Sequence, residues 1–284
     1  MQKYIEKADI LIEALPYIQK FNETVVVIKY GGSAMTDEKI KQSVIGDISF
    51  MKMVGIKPIV VHGGGPFINE ALTKSNIAPK FKNGLRVTDK NTIEIAESVL
   101  SGNINKSIVS DFQKHGMQAC GISGKDGKLI VAKKSDENIG YVGEIEKINP
   151  KIINTLIDNG FVPVISPIGT DEDGNTYNIN ADYAANELAI ALKANKLVFL
   201  TDIDGLLEDE NDNKSLISRI NVKIINEMTK SGQIKGGMIP KIKSCKKAIE
   251  NGVKSVHIIN GNIKHALLLE IYTNEGIGTI IERD

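Results

Sequence analysis

Lys29 closes the apolar run Val25 to Ile28 and stands two residues before the pair Gly31-Gly32. Such a run reads as a short buried strand that must break into a turn at the glycines. A lysine at the end of a buried strand calls for an anion, and glycines let backbone N–H groups approach that anion with no Cβ in the way. The chemistry indicated is phosphate binding, although a strand ending in an ordinary turn with a solvated lysine accounts for the same residues. The device recurs where Ile59 to Val61 run into Gly63, Gly64 and Gly65. Pro66 is favoured in the first turn of a helix, so these glycines lie at a helix N-terminus, where free N–H groups and the dipole attract anions.

Four further groups of residues carry chemistry. Arg86 follows a turn at Asn83-Gly84 in FKNGLRVTD, as a solvated loop residue or as a planar fork for a carboxylate. Asn178, Asn180 and Asp182 alternate along an extended run and so share one face, just before an alanine-rich helix that Asn180 or Asp182 can also cap. Asp202, Asp204 and Gly205 follow the apolar strand KLVFL, with Leu206 and Leu207 completing the turn. Gly236 and Gly237 precede a helix bearing Lys241, one of four lysines between 241 and 247 that also suit a wet helix face.

The elements that must position these residues alternate between strand and helix. Thr36 or Asp37 caps a helix to about Val54, a long helical pattern runs from Thr92 to about His115 with Gly102 as its weak point, and Asn149-Pro150 opens another helix. The spacing predicts an edge hairpin from Gln118–Ile122 and Leu129–Ala132, and an N-terminal helix that Pro16 interrupts. Continuous apolar strands argue for a mainly parallel sheet covered on both faces, an α/β class in which ligands gather at the carboxyl ends of strands. Lys29, Gly31, Gly64, Gly65, Asp202 and Gly205 all fall there.

With 284 residues, 42% hydrophobic and 25% charged, the chain can bury a large core. Lys plus Arg and Asp plus Glu balance at 35 each, which removes the electrostatic footprint of a general nucleic-acid binder and leaves small partners. No apolar run is long enough for a bilayer, the mixed-charge N-terminus lacks a signal pattern, and two cysteines make no framework, so a cytoplasmic protein with reduced thiols is expected. The four histidines lack metal-ligand spacing, so no bound metal centre is expected. The P-loop is excluded because Ala119 stands where its first glycine belongs and Asp126 follows Gly124-Lys125. No GxGxxG opens a helix, and the HRD and DFG elements of protein kinases are missing.

In this order, VVVIKYGGSA, VVHGGGP, KNGLRVTD, NINADYAANELA, LTDIDGLL and GGMIPKI resemble the amino acid kinase family, from Thr24 to the C-terminus. Within it, KNGLRVT and NxNAD are similar to the enzymes that phosphorylate the side-chain carboxylate of N-acetyl-L-glutamate in arginine biosynthesis. The resemblance implies a three-layer αβα sandwich with ATP and Mg²⁺ as cofactors. Residues 1–22 would form a helical segment for oligomerisation or regulation, 23–180 the lobe that binds acetylglutamate, and 181–284 the lobe that binds ATP. It implies that Lys29 and Lys241 stabilise the transferring phosphoryl group and that Asp182 orients them. Gly31, Gly32 and Gly64 would offer N–H groups to phosphates; Gly64, Gly65, Arg86 and Asn178 would hold acetylglutamate with Asn180 in support. Asp202, Asp204, Gly205, Leu206 and Leu207 would bracket the nucleotide. LIEALPYIQKF and HALLLEIYTNEGIGT resemble the arginine-inhibited members, implying a homo-oligomer, as dimer or trimer of dimers, and an L-arginine pocket near His265, Glu270 and Gly276. Another carboxylate or nucleoside monophosphate as acceptor, a silent amino-acid sensor, and a generic nucleotide-binding module are the competing readings.

Overall fold

The computed structural model describes every residue except 136–137, 210–211, 213–214, 235–237, 274–275 and 284, and every side chain of those residues except that of Lys7. The first half of the chain runs α1 (Gln2–Phe21), β1 (Val25–Tyr30), α2 (Glu38–Met53), β2 (Lys57–His62), α3 (Gly65–Lys74), β3 (Phe81–Lys82), β4 (Leu85–Arg86), α4 (Lys90–Glu97), α5 (Asn105–Lys114), β5 (Ala119–Ser123) and β6 (Ile130–Lys134). It continues through β7 (Gly143–Ile148), α6 (Lys151–Asp158), β8 (Val162–Ser166), β9 (Ile168–Thr170), β10 (Thr176–Asn178) and α7 (Ala181–Ala191). The last third adds β11 (Lys196–Thr201), β12 (Arg219–Asn221), α8 (Val222–Lys230), α9 (Met238–Glu250), β13 (Ser255–Asn260), α10 (Ala266–Ile271) and β14 (Thr279–Glu282).

Eight strands form one sheet in the order β12-β14-β13-β11-β1-β2-β8-β5, parallel throughout except for β13 against β14. Helices cover both faces, which is the three-layer αβα sandwich expected. β1 is the switch point, with β2 on one side and β11 on the other. Crossovers leave β1 in opposite directions there, opening a crevice at its carboxyl end.

The period of two along β1 assigns its faces. Val26, Ile28 and Tyr30 enter the core shared with α2 and α5, whereas Val27 enters the core shared with α7 and α9. Lys29 therefore points to the α7 side. Full burial of Val27 and Ile28 contributes about 1.5–3 kcal/mol each, which fixes the register that aims the lysine.

Three local expectations are revised. The predicted 118–132 hairpin does not form: β5 pairs in parallel with β8 at the edge of the large sheet, while β6 joins a separate four-stranded sheet, β10-β9-β6-β7. The Asp126 carboxylate accepts from Ser123 N at 2.6 Å and Ser123 Oγ at 2.8 Å, and this turn sends the chain out of the large sheet. Pro16 does not interrupt α1, which continues through it. Its missing N–H leaves the carbonyl of Ile12 unpaired in the helix, but that residue is exposed and water can take the bond. The 92–115 helix is real, yet its middle turns, Ser98–Ile104, are π-helical around Gly102. No helix among the described residues is long and apolar enough to cross a membrane.

Candidate active site

Asp182 lies in the first turn of α7, whose N-terminus Asn180 caps by accepting from Asp182 N at 2.9 Å and Tyr183 N at 3.2 Å. Buried Ala184, Ala185 and Ala189 let this helix lie close on β1, so its first turn meets Lys29. Lys29 Nζ reaches Asp182 Oδ1 at 3.0 Å, and Lys241 Nζ, from the first turn of α9, reaches Oδ2 at 3.3 Å. One carboxylate thus holds two ammonium groups from distant parts of the chain side by side, offsetting a repulsion that would otherwise part them. Burial works against the charged carboxyl of Asp182, but the two lysines outweigh it and keep its pKa below the usual carboxylate range. Lys241 Nζ also lies 5.5 Å from the ring centre of Phe199, the residue beside Lys29 on β11.

A cavity of about 360 Å³ opens from this triad, lined by Lys29, Gly31, Gly32, Gly63 to Pro66, Arg86, Asn178, Asn180 and Asp182 among others. Gly64 caps α3, so the helix N-terminus faces the same space. A Cβ on Gly64 would come within 2.5 Å of Leu100 and Ile104, because the π-helical turns press directly against this backbone. Arg86 is 7% exposed; its Nη2 donates to the Gly65 carbonyl at 3.1 Å, and its guanidinium stacks 4.8 Å from the Phe81 ring. Nη1 is buried with no hydrogen-bond partner among the described residues. Burial lowers the guanidinium pKa from its usual value. Asn178 holds the opposite wall: its N–H donates to the Tyr141 carbonyl at 2.9 Å and its amide to Thr88 Oγ1 at 3.4 Å.

A second cavity, about 430 Å³, lies beyond the carboxyl end of β11 and is lined by Asp202 to Leu207 with Gln233, Ile234, Met238 and Asn260. Asp202 spends Oδ1 on Ser33, accepting from its N–H at 3.0 Å and its hydroxyl at 2.6 Å, and the hydroxyl bond is the main reason its pKa is lowered. Gly32 takes φ +71, and a Cβ there would sit 2.7 Å from Asp202 Oδ1, so only glycine lets these two loops close. Asp204 accepts from Asn260 Nδ2 at 2.8 Å, and Leu206 N donates to Thr279 Oγ1 at 2.8 Å.

The sequence-selected residues Lys29, Gly31, Gly32, Gly64, Gly65, Arg86, Asn178, Asn180, Asp182 and Lys241 thus meet around one crevice, and Asp202 to Leu207 line the adjoining one. Gly236 and Gly237 lie outside the described residues. The remaining trio divides. Glu270 is fully enclosed, with Oε1 2.6 Å from His257 Nδ1 and Oε2 accepting from Ile277 N at 2.8 Å, and a Cβ on Gly276 would come within 2.8 Å of that Oε2. His265 is at the other end of α10, in a left-handed conformation (φ 59), with Nδ1 2.7 Å from Asp47 Oδ1. Sequence reasoning assigned no role to Phe81, Ser33 or His62. Asn83 and Gly84, both at positive φ, form a two-residue hairpin turn that pairs Phe81 with Arg86, so the Asn-Gly signal contained that contact. Ser33 meets a partner 169 positions away and left no local signal.

Residues 24–260 match the model of the amino acid kinase family. An acetylglutamate kinase of Thermoanaerobacter sp. (strain X514) is 56% identical over 288 residues, with 100% of this chain and 96% of the relative covered. An acetylglutamate kinase of Methanocaldococcus jannaschii is 52% identical, with 100% of this chain and 99% of the relative covered. Among solved structures, N-acetylglutamate synthase from Neisseria gonorrhoeae complexed with coenzyme A and N-acetyl-glutamate superimposes with a TM-score of 0.85 at 24% identity. That alignment covers 98% of this chain but 63% of the longer synthase chain, and it speaks for the fold alone.

Proposed function

The chain belongs to the amino acid kinase family, and from that premise we propose that it transfers the γ-phosphoryl group of ATP to the side-chain carboxylate of N-acetyl-L-glutamate. The observation that carries this reading is the pair of ammonium groups clamped on Asp182 beside a cavity that also holds Arg86, whose Nη1 has no partner among the described residues. Arg86 suits the α-carboxylate because a guanidinium fork makes two parallel bonds, and Asn178 and Gly65 line the same space.

The acceptor carboxyl has a pKa near ~4.3 in water and is ionised at neutral pH, so the reaction needs no general base. A carboxylate oxygen attacks the γ-phosphorus, the bond to the bridging oxygen of ADP breaks, and the products are an acyl phosphate and ADP. The difficulty is an anion attacking an anion. Lys29 and Lys241 supply opposite charge, and N–H groups of Gly31, Gly32 and Gly64 supply preorganised dipoles where charge builds up. The Asp202 to Leu207 cavity takes the nucleotide. Both Asp182 oxygens are engaged by lysines, so Mg²⁺ would be held chiefly by the ATP phosphates, where it would offset their negative charge.

The cavities support a division at residues 23–180 and 181–284: the acceptor cavity is lined by residues from Lys29 to Asn180, with Ala181 and Asp182 reaching in from the second lobe, and the nucleotide cavity by residues from Asp202 to Asn260. Exposed Ile5, Ile10, Leu11, Ile12 and Leu15 on α1 favour residues 1–22 as an intersubunit helix in a cytoplasmic homo-oligomer. The likeness of LIEALPYIQKF and HALLLEIYTNEGIGT to the arginine-inhibited members supports L-arginine inhibition through a site near His265, Glu270 and Gly276. A coupled ADP-release assay tests it with acetylglutamate, aspartate, carbamate and UMP, with and without arginine. Acetylglutamate-dependent turnover is expected; turnover with a different acceptor alone, or arginine binding with no turnover, contradicts it. Deleting residues 1–22 should give a smaller species by sedimentation and weaken arginine inhibition.

A further inference from the structure

His62 ends β2 immediately before the three glycines, is completely buried, and has no role in the chemistry above. Its Nδ1 lies 2.8 Å from the Gly63 carbonyl oxygen and its Nε2 lies 3.3 Å from Asn105 Nδ2. The neighbouring groups fix the tautomer. The Lys106 ammonium, which can only donate, bonds Asn105 Oδ1 at 3.0 Å, so the other end of that amide is its NH₂ group, which donates to the Val164 carbonyl at 2.9 Å and shares its second hydrogen between the Ile122 carbonyl at 3.3 Å and His62 Nε2. An NH₂ facing Nε2 requires Nε2 to be unprotonated, and a carbonyl facing Nδ1 requires Nδ1–H. Burial lowers the ring pKa to about 4, so the imidazole is neutral across the physiological range.

The bonded carbonyl belongs to the Gly63–Gly64 peptide. In a trans peptide the C=O and N–H point in opposite directions, so a carbonyl drawn toward His62 turns the Gly64 N–H away from the ring and toward the cavity. Gly63 N donates to the Tyr30 carbonyl at 2.7 Å, which ties the preceding peptide to β1, while the Gly64 N–H has no backbone or side-chain acceptor among the described residues. A Gly-Gly peptide has little conformational preference of its own. Resting on the acetylglutamate kinase reading, we propose that His62 is a positioning residue for phosphoryl transfer. Its Nδ1–H holds the Gly63–Gly64 peptide in the one orientation that presents the Gly64 N–H to the developing charge.

Two substitutions separate this role from packing. In His62→Asn the side-chain NH₂ can take the place of Nδ1, whereas in His62→Gln the amide reaches the place of Nε2 and leaves the Gly63 carbonyl unheld. His62→Gln should lower kcat by roughly 100-fold, as loss of one preorganised oxyanion donor does, with little change in either KM, and His62→Asn should recover most of that loss. Equal losses in both variants, or a loss confined to KM, overturn the proposal. Should neither variant fold, long-range ¹H–¹⁵N spectra of the wild-type protein decide: protonated Nδ1 on His62 supports the proposal and protonated Nε2 overturns it. Wild-type protein with no acetylglutamate-dependent ADP release refutes the substrate reading instead, and the ring tautomer still tests the geometry.

Discussion

Arg86→Lys isolates the acceptor half of the account. The guanidinium lies 4.8 Å from the centre of the Phe81 ring, gives Nη2 to the Gly65 carbonyl at 3.1 Å, and keeps Nη1 buried without a partner among the described residues. Bound acetylglutamate would take Nη1 and share Nη2 through a two-pronged contact. A lysine keeps the charge but presents a single ammonium, so one charge-assisted bond is lost, worth about 1.5–3 kcal/mol. At about 1.4 kcal/mol per factor of ten, KM for acetylglutamate should rise roughly 10- to 150-fold. Loss of the guanidinium contact with the exposed Phe81 ring costs at most about 1 kcal/mol of stability and changes binding little. Arg86 does not line the cavity proposed for ATP, so the KM for ATP should stay within about threefold, below the loss of any one such bond. Initial rates of ADP release, varying each substrate at saturation of the other, give both constants, and calorimetry of acetylglutamate gives the affinity directly. Equal rises in both KM values, or an unchanged affinity for acetylglutamate, would refute the reasoning.

Other expectations concern the charged triad and the loops that hold it. Lys29→Ala and Lys241→Ala should each lower kcat by at least ~100-fold with the fold intact by circular dichroism, and near-normal turnover in either removes that lysine from the chemistry. Asp182 is an acid whose pKa is lowered in the fold, so its contribution to stability is complete above the unfolded value of about 3.9 and is lost as pH falls through the folded value. Denaturant titrations should therefore find Asp182→Asn less stable than wild type at pH 7, with the gap narrowing under strong acid; an equal gap at both ends contradicts the ion-pair assignment. Gly32→Ala should lower the unfolding free energy by roughly 1–3 kcal/mol, since the position is left-handed and its Cβ would sit 2.7 Å from Asp202 Oδ1. An unchanged denaturation midpoint would show that the loop relaxes without strain.

What the sequence revealed depended on the distance over which each feature is encoded. The direction of Lys29 follows from a period of two within β1, and the Asn180 cap that aims Asp182 is set within three residues, so both were legible. The meeting of Lys29 and Lys241 on one carboxylate was reached through resemblance, because no local pattern relates residues so far apart. The misread hairpin shows the opposite limit: Lys125-Asp126-Gly127 carries ordinary turn chemistry, yet pairing of β5 with β8 decides the outcome from outside the segment. Pro16 misled because an interior proline costs a helix one hydrogen bond and a clash with the carbonyl four residues back without having to end it, and at exposed Ile12 water can take the freed carbonyl. The π-helical turns left only Gly102 as a trace, and the link from Ser33 to Asp202 left none. His62 was visible but unexplained, since its meaning lies in which way a peptide faces.

The central claim is that two cations, arriving from β1 and α9, serve one phosphoryl group. A crystal structure of the protein with acetylglutamate, MgADP and a planar fluoride mimic of the transferring phosphoryl group tests it most directly. The account predicts Nζ of Lys29 and of Lys241 both within about 3 Å of that mimic, with Asp182 still between them. Ammonium groups directed to separate sites, with the mimic held by neither or by only one, would contradict it.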